Sequence, residues 1–216
     1  MSPRPLPTAR SNDTPRRGRP RSHRAHAAIL DASIALTREV GYDAVTMDAI
    51  AARASVGKAT VYRHWSSKEL IITEAVTRMV RSVPVPDTGT VEGDIRLLMR
   101  VTTGMYRDPA TGLLLSGLVA AMARSEQVAA AVRGGFVEAW RGAARAVLQR
   151  AAARGELPAA LDTELALDLF SGPLLYRYLM RGREVDERFT RAVVATVLRG
   201  LPATPSSLPH TRRKRT

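Results

Sequence analysis

Apolar residues recur at helical spacing through most of the chain. Ile29, Ala32, Leu36 and Val40 fall at steps of three, four and four, one face of a helix that Gly41 can close. Thr46 is an N-cap candidate for a short second helix, Met47 to Ala54. A third runs from Lys58 to about His64, after the turn Ser55-Val56-Gly57. Ser66 and Glu69 have the spacing of a capping box, opening a fourth helix with Ile72, Val76 and Met79 inward. The stretch Val83-Pro84-Val85-Pro86-Asp87-Thr88-Gly89 breaks helices and marks the main internal boundary. Beyond it the period remains helical. Ile95, Leu98, Thr102 and Met105 mark one helix; Leu114, Leu118 and Met122 mark the next. Val128, Val132, Phe136, Trp140, Ala143 and Val147 mark a long one ended by Gly155. Asp162 can cap a helix running to Met180 and Gly182. Asp186 can cap a last one, with Phe189, Val193 and Val197 inward and Gly200 at its end. No repeat and no strand pattern stands out. The pattern predicts an all-α fold of about nine helices.

Residues 46–65 carry the most informative local arrangement. Two short helices joined by a tight turn bury one another only if apolar and small residues sit at their crossing. Ile50 and Ala51 supply the first helix, and Val56 and Val61 fill the gap from the turn and the second. That spacing predicts a helix-turn-helix, whose second helix can enter a DNA major groove. Lys58, Ala59 and Thr60 open that helix, at the end that reaches base edges. Lys58 could meet guanine O6 and N7, and Ala59 a thymine methyl. Arg63 is a second base or phosphate candidate. Trp65 reads as core, and Arg53 as solvated or paired.

Charge sharpens this reading once it is located. The chain has 216 residues and a net charge of +13. Seven arginines against Asp13 lie within residues 1–26, and Arg212, Arg213, Lys214 and Arg215 lie near the end. Residues 27–210 are close to neutral, so the excess sits on two basic arms, a distribution that suits nucleic acid before membrane; solubility is the other reading. Residues 1–22 and 201–216 are rich in Pro, Ser and Arg and are expected to be disordered tails. They flank an expected DNA-binding domain over 23–81 and a second helical domain over 91–200. With no cysteine, disulfides and thiolate chemistry are excluded. No apolar run is long enough for a membrane span and no secretory signal is evident, so a cytoplasmic protein is expected. The four histidines form no Ser-His-Asp, phosphate-loop or metal-helix pattern, so neither an enzyme nor a metal or other cofactor is expected.

Gly41-Tyr42, Thr46, Ala49-Ile50-Ala51, Val56, Thr60-Val61-Tyr62, His64-Trp65 and Lys68 closely match the N-terminal domain of tetracycline-repressor-like (TetR/AcrR) regulators. The chain resembles that family from about residue 27 to 80. The stretch from Gly172 to Tyr178 resembles one actinobacterial-type subgroup. The resemblance implies a homodimeric repressor of double-stranded DNA, released from a palindromic operator by a small molecule. It implies phosphate contacts from Tyr62 and His64, and a grip on the backbone by Thr46 and Lys68. Two positions depart from the family pattern: Ser55 stands where glycine is usual and Gly57 where serine is usual.

Arg16-Arg17-Gly18-Arg19-Pro20-Arg21 resembles the core of an AT-hook. There Gly18 would let the backbone lie deep in a minor groove while Arg17 and Arg19 follow its walls; plain electrostatic attraction is the alternative. In the second half, a sensing pocket should be apolar with a few polar groups. Met99, Met105, Tyr106, Leu114, Phe136, Trp140, Phe170 and Tyr176 lie on the right elements for a hydrophobic or weakly polar organic effector. Leu167, Leu174, Val193, Val194 and Val197 are candidates for a dimer face on the last two helices, with intrachain core as their other reading. A nonspecific nucleoid-type protein would need the basic tails but not the large apolar second half.

Overall fold

The structure is a computed structural model that describes residues 19–201. Among these, nine helices and no strand are present. They are α1 (Arg19–Val40), α2 (Met47–Arg53), α3 (Lys58–His64), α4 (Lys68–Arg81), α5 (Val91–Arg107), α6 (Pro109–Met122), α7 (126–153), α8 (163–180) and α9 (Glu187–Gly200). An all-α fold with an N-terminal helix-turn-helix and a C-terminal helical domain is what the periodicity predicts.

Most helix starts follow from capping chemistry. Side chains of Thr46, Thr90, Ser125, Asp162 and Asp186 accept from the backbone N–H three residues on, at 2.7–3.3 Å, each satisfying one orphan donor of a first turn. Gly41 ends α1 at φ 83°, a conformation that suits a residue without a Cβ. The predicted capping box at Ser66 is not formed. The N-cap of α4 is Ser67, one residue later, without a side-chain hydrogen bond. Glu69 is therefore at the second helical position and cannot close the box. Val40 and Met79, expected inward, are exposed.

The helical backbone starts at Arg19, inside the stretch expected to be a disordered arm, and Pro20 at the second position of α1 has no intrahelical partner to lose. The Arg19-Pro20-Arg21 end of the AT-hook-like motif is thus helical rather than extended. Arg17, Gly18 and the tail from residue 202 lie outside the described residues.

Two helices contain a widened turn with i→i+5 bonding. In α7 it is Arg133–Val137, between Glu126–Val132 and Glu138–Ala153; in α8 it is Tyr176–Met180, after Thr163–Leu175. The first carries Gly134-Gly135. A Cβ on Gly135 would fall 2.7 Å from Thr77 Oγ1, so only glycine lets α4 come this close. The second follows Pro173, which offers no backbone donor.

Three apolar clusters hold the fold. One packs α1 to α4 around Ile29, Leu30, Ile50, Val61, Trp65 and Ile71. Another fills the second half around Ile95, Met99, Leu148, Leu167, Phe170 and Leu174. The third joins the two halves, with Tyr42, Ile72 and Val76 against Leu114, Leu118, Val128 and Val132. The α4–α5 connection is fastened separately. Asp94, fully buried, accepts from Thr88 N at 2.5 Å and Thr88 Oγ1 at 2.8 Å. Arg154 approaches its other oxygen to 3.6 Å, and Arg150 donates to the Pro86 carbonyl.

Candidate nucleic-acid interface and ligand cavity

Helix α3 stands on α2 through Ile50, Ala51 and Val61, all nearly or fully buried, with Val56 packed against them from the turn. Burying Val61 sets the rotation of the whole seven-residue helix. Lys58, Ala59, Tyr62, Arg63 and His64 are exposed, and Thr60 is half-buried. Arg63 lies 3.4 Å from Thr60 Oγ1. Lys58 donates to Asp48 of α2 at 2.6 Å, which raises its pKa above the ordinary lysine value. Trp65 is buried and donates from Nε1 to Glu74 at 2.8 Å, while His26 lies 3.0 Å from the same carboxylate. Arg53 pairs with Glu39 at 2.8 Å.

A cavity of about 370 Å³ opens between α4, α5, α6, α7 and α8, within the size range of small-molecule sites. Met105 and Tyr106 of α5, Leu115, Leu118 and Met122 of α6, and Phe136 and Trp140 of α7 form its walls. Val80 at the end of α4 and Val83 just beyond it also line it, so the cavity touches the helix that follows the helix-turn-helix. Trp140 Nε1 donates to Thr102 Oγ1 at 3.0 Å on the cavity wall, and Ser171 Oγ donates to Leu167 O.

Residues 29–75 match the family model described as bacterial regulatory proteins of the tetR family, and residues 85–197 match the tetracyclin-repressor-like C-terminal domain. The chain belongs to the TetR family of transcriptional regulators. It is 36% identical to the uncharacterised HTH-type transcriptional regulator YdeS of Bacillus subtilis, over 89% of this chain and 97% of that protein. It is 33% identical to the DNA-binding transcriptional repressor TetR of Mycobacteroides abscessus, over 80% of this chain and 90% of that one. Among solved structures, the TetR family transcription regulator SCO0332 superposes with a TM-score of 0.75 at 26% identity, over 82% of this chain and 98% of that chain.

Within this TetR-family frame the two sequence departures have definite geometry. Ser55 sits at φ 54°, the left-handed region, which disfavours a residue with a Cβ by about 1 kcal/mol. Gly57 is the N-cap of α3 and supplies no side-chain hydrogen bond, although a Cβ there would meet nothing within 4 Å. Thr46 is exposed, with its oxygen accepting from Ala49 N. Lys68, expected to grip a DNA backbone, is held within the chain in this DNA-free structure. Its ammonium donates to the carbonyls of Tyr42 and Asp43, each at 2.9 Å, and sits 5.1 Å from the Tyr42 ring centre. It fastens the α1–α2 turn to the start of α4.

Of the eight residues expected around an effector, Met105, Tyr106, Phe136 and Trp140 line the cavity. The other four do not. Met99 and Phe170 are fully buried in the core of the second half, Leu114 packs into the cluster joining the halves, and Tyr176 is 61% exposed. Sequence reading missed Arg141, Ser171, Val80 and Val83 as lining residues, and used Thr102 only as a helix marker. For Arg141 its place next to Trp140 was the available signal.

Four of the five expected dimer residues take their other reading, intrachain core. Leu167, Leu174, Val193 and Val194 are buried inside this chain's own core, and Val197 packs against it. The opposite side of α8 is apolar and uncovered: Leu165 and Leu169 lie four residues apart, and Tyr176 and Met180 continue the line.

Proposed function

We propose that this TetR-family regulator is a cytoplasmic homodimeric repressor that leaves a palindromic operator when a small organic effector fills the cavity. One observation carries the reading: Val80 and Val83, at the end of α4, form part of the cavity wall, while α4 begins just after the exposed α3. A ligand pressing on that wall shifts α4, and only its differential affinity for the two arrangements can move the equilibrium. Lys58, Ala59, Thr60 and Arg63 read base edges; Tyr62, His64 and Thr46 contact phosphates. Two protomers pair through Leu165, Leu169, Tyr176 and Met180 of α8, and that pairing presents α3 twice, to half-sites one helical turn apart. Arg17, Gly18 and Arg19 add affinity from the adjacent minor groove. The repressor named in Mycobacteroides abscessus supports the direction of control.

Footprinting of the full chain on the DNA flanking its own coding region tests this. A discrete two-fold site, with loss of transcript in a run-off assay, is the expected result. Uniform coverage would replace the reading with that of a packaging protein. Removing residues 1–18 should weaken binding and flatten the slope of log affinity against log salt.

A further inference from the structure

The cavity's own chemistry narrows what it can hold. Among the described residues lining it, polar atoms come only from the side chains of Thr102, Tyr106, Trp140, Arg141 and Ser171. Arg141 is the single charge, and it is already occupied. Its guanidinium lies 2.5 Å from both Asp168 and Glu164, and only 17% of its side chain is exposed. Arg145 holds the same Glu164 at 2.9 Å and Glu138 at 3.0 Å, so two cations face three carboxylates in this cluster. An anionic ligand would have to draw Arg141 off two partners, taking the cation from Asp168 and leaving Glu164 to Arg145 alone. A cationic ligand would meet Arg141 as the only charged lining group and be repelled.

The neutral groups are equally directional. Thr102 Oγ1 accepts from Trp140 Nε1 and directs its own hydrogen at Leu98 O, 3.4 Å away. Ser171 Oγ donates to Leu167 O at 3.0 Å. Both hydroxyls therefore turn lone pairs, not hydrogens, toward a ligand. Burial, with Tyr178 beside it, pushes the Tyr106 hydroxyl up to about 12, so it too is uncharged near neutral pH.

Building on the effector reading above, we propose that the ligand is an uncharged, mainly apolar alcohol or phenol. Its body packs against Met105, Phe136 and Trp140, and its hydroxyl donates to Thr102 or Ser171. An apolar body replaces cavity wall contacts without leaving polar groups unpaired, and a single donor meets the two free acceptors.

A matched series on the full-length protein tests this. The neutral fluorophore phenylnaphthylamine reports occupancy, and decanol, decanoate and decylamine compete for it. Decanol should displace the probe at about tenfold lower concentration than either charged analogue. Val119→Trp, on the partly exposed rim, should abolish probe binding with helicity unchanged. Displacement by decanoate or decylamine at an equal or lower concentration would overturn the proposal, as would unchanged probe binding in the Val119→Trp protein. Operator DNA added to the same titration separates the two readings. Decanol that binds without releasing DNA supports the ligand chemistry and overturns the effector role.

Discussion

The Tyr42 ring occupies the notch left by Gly117: a Cβ built on that glycine would fall 2.4 Å from the ring's Cδ1. The contact joins the α1–α2 turn of the DNA-binding half to α6, which also supplies Leu115, Leu118, Val119 and Met122 to the cavity. Gly117→Ala must push the ring or the helix away and should destabilise the protein by about 1–3 kcal/mol. The Tyr42 hydroxyl is buried without a hydrogen-bond partner among the described residues, so Tyr42→Phe should be neutral or stabilising. Urea denaturation of the two variants checks both signs.

Burial pushes Tyr42 up to about 12, with Glu69 adding to the effect, and Tyr106 shows the same rise from burial and then Tyr178. An unfolded tyrosine ionises near pH 10. Between about pH 10 and 12 the unfolded chain therefore loses protons that the folded chain keeps, and stability falls as pH rises. Denaturation midpoints should hold up to pH 10 and decline above it, less steeply in Tyr106→Phe.

Lys58 cannot both hold Asp48 and meet a base edge with the same donors. Asp48→Asn should free it and tighten operator binding a few-fold, most clearly at low salt. Lys58→Ala should weaken binding by about 1–3 kcal/mol with relaxed sequence preference if the contact is to a base. Uniform weakening with a salt slope smaller by about 1 would place it on phosphate instead. Competition binding against scrambled duplexes gives the answer.

The turn before α3 holds a removable strain. Ser55→Gly should stabilise the protein by about 1 kcal/mol, raising the Tm by roughly 2–4 °C. Gly57→Ser should add a few tenths of a kcal/mol through a new cap. Calorimetry resolves the first.

Leu169→Glu combined with Tyr176→Glu places two charges on the uncovered side of α8. The pair should raise the dimer dissociation constant by at least about 100-fold, read by sedimentation, with helicity retained. Leu174→Glu, one face round, should unfold the chain instead, because Leu174 is fully buried.

Helix α3 was legible to the residue, because Gly57 and the lone inward position Val61 fix its start and its rotation. The effector and interface residues were less so. Periodicity marks a residue as inward without saying whether inward means solid core or cavity wall: Phe170 and Trp140 follow the same rule and end up in different places. The same ambiguity left Leu167 and Val194 open between interface and core, whereas α8 is apolar on two sides and it is Leu165, Leu169, Tyr176 and Met180 that are left uncovered. The capping box failed by a single residue, since Ser66 and Ser67 are equally good caps in sequence. The widened turns in α7 and α8 have no period of their own, and only Gly134-Gly135 and Pro173 mark where they occur.

The wide turn at Arg133–Val137 holds one residue more than an ordinary helical turn. Everything downstream of it is rotated by about 100° relative to what comes before. Loss of either Gly134 or Gly135 would swing Trp140 out of the wall and bring a different side chain in. A one-residue deletion or insertion there would change which side chains line the cavity more sharply than any single replacement, and, because Gly135 packs against Thr77, it would move α4 as well.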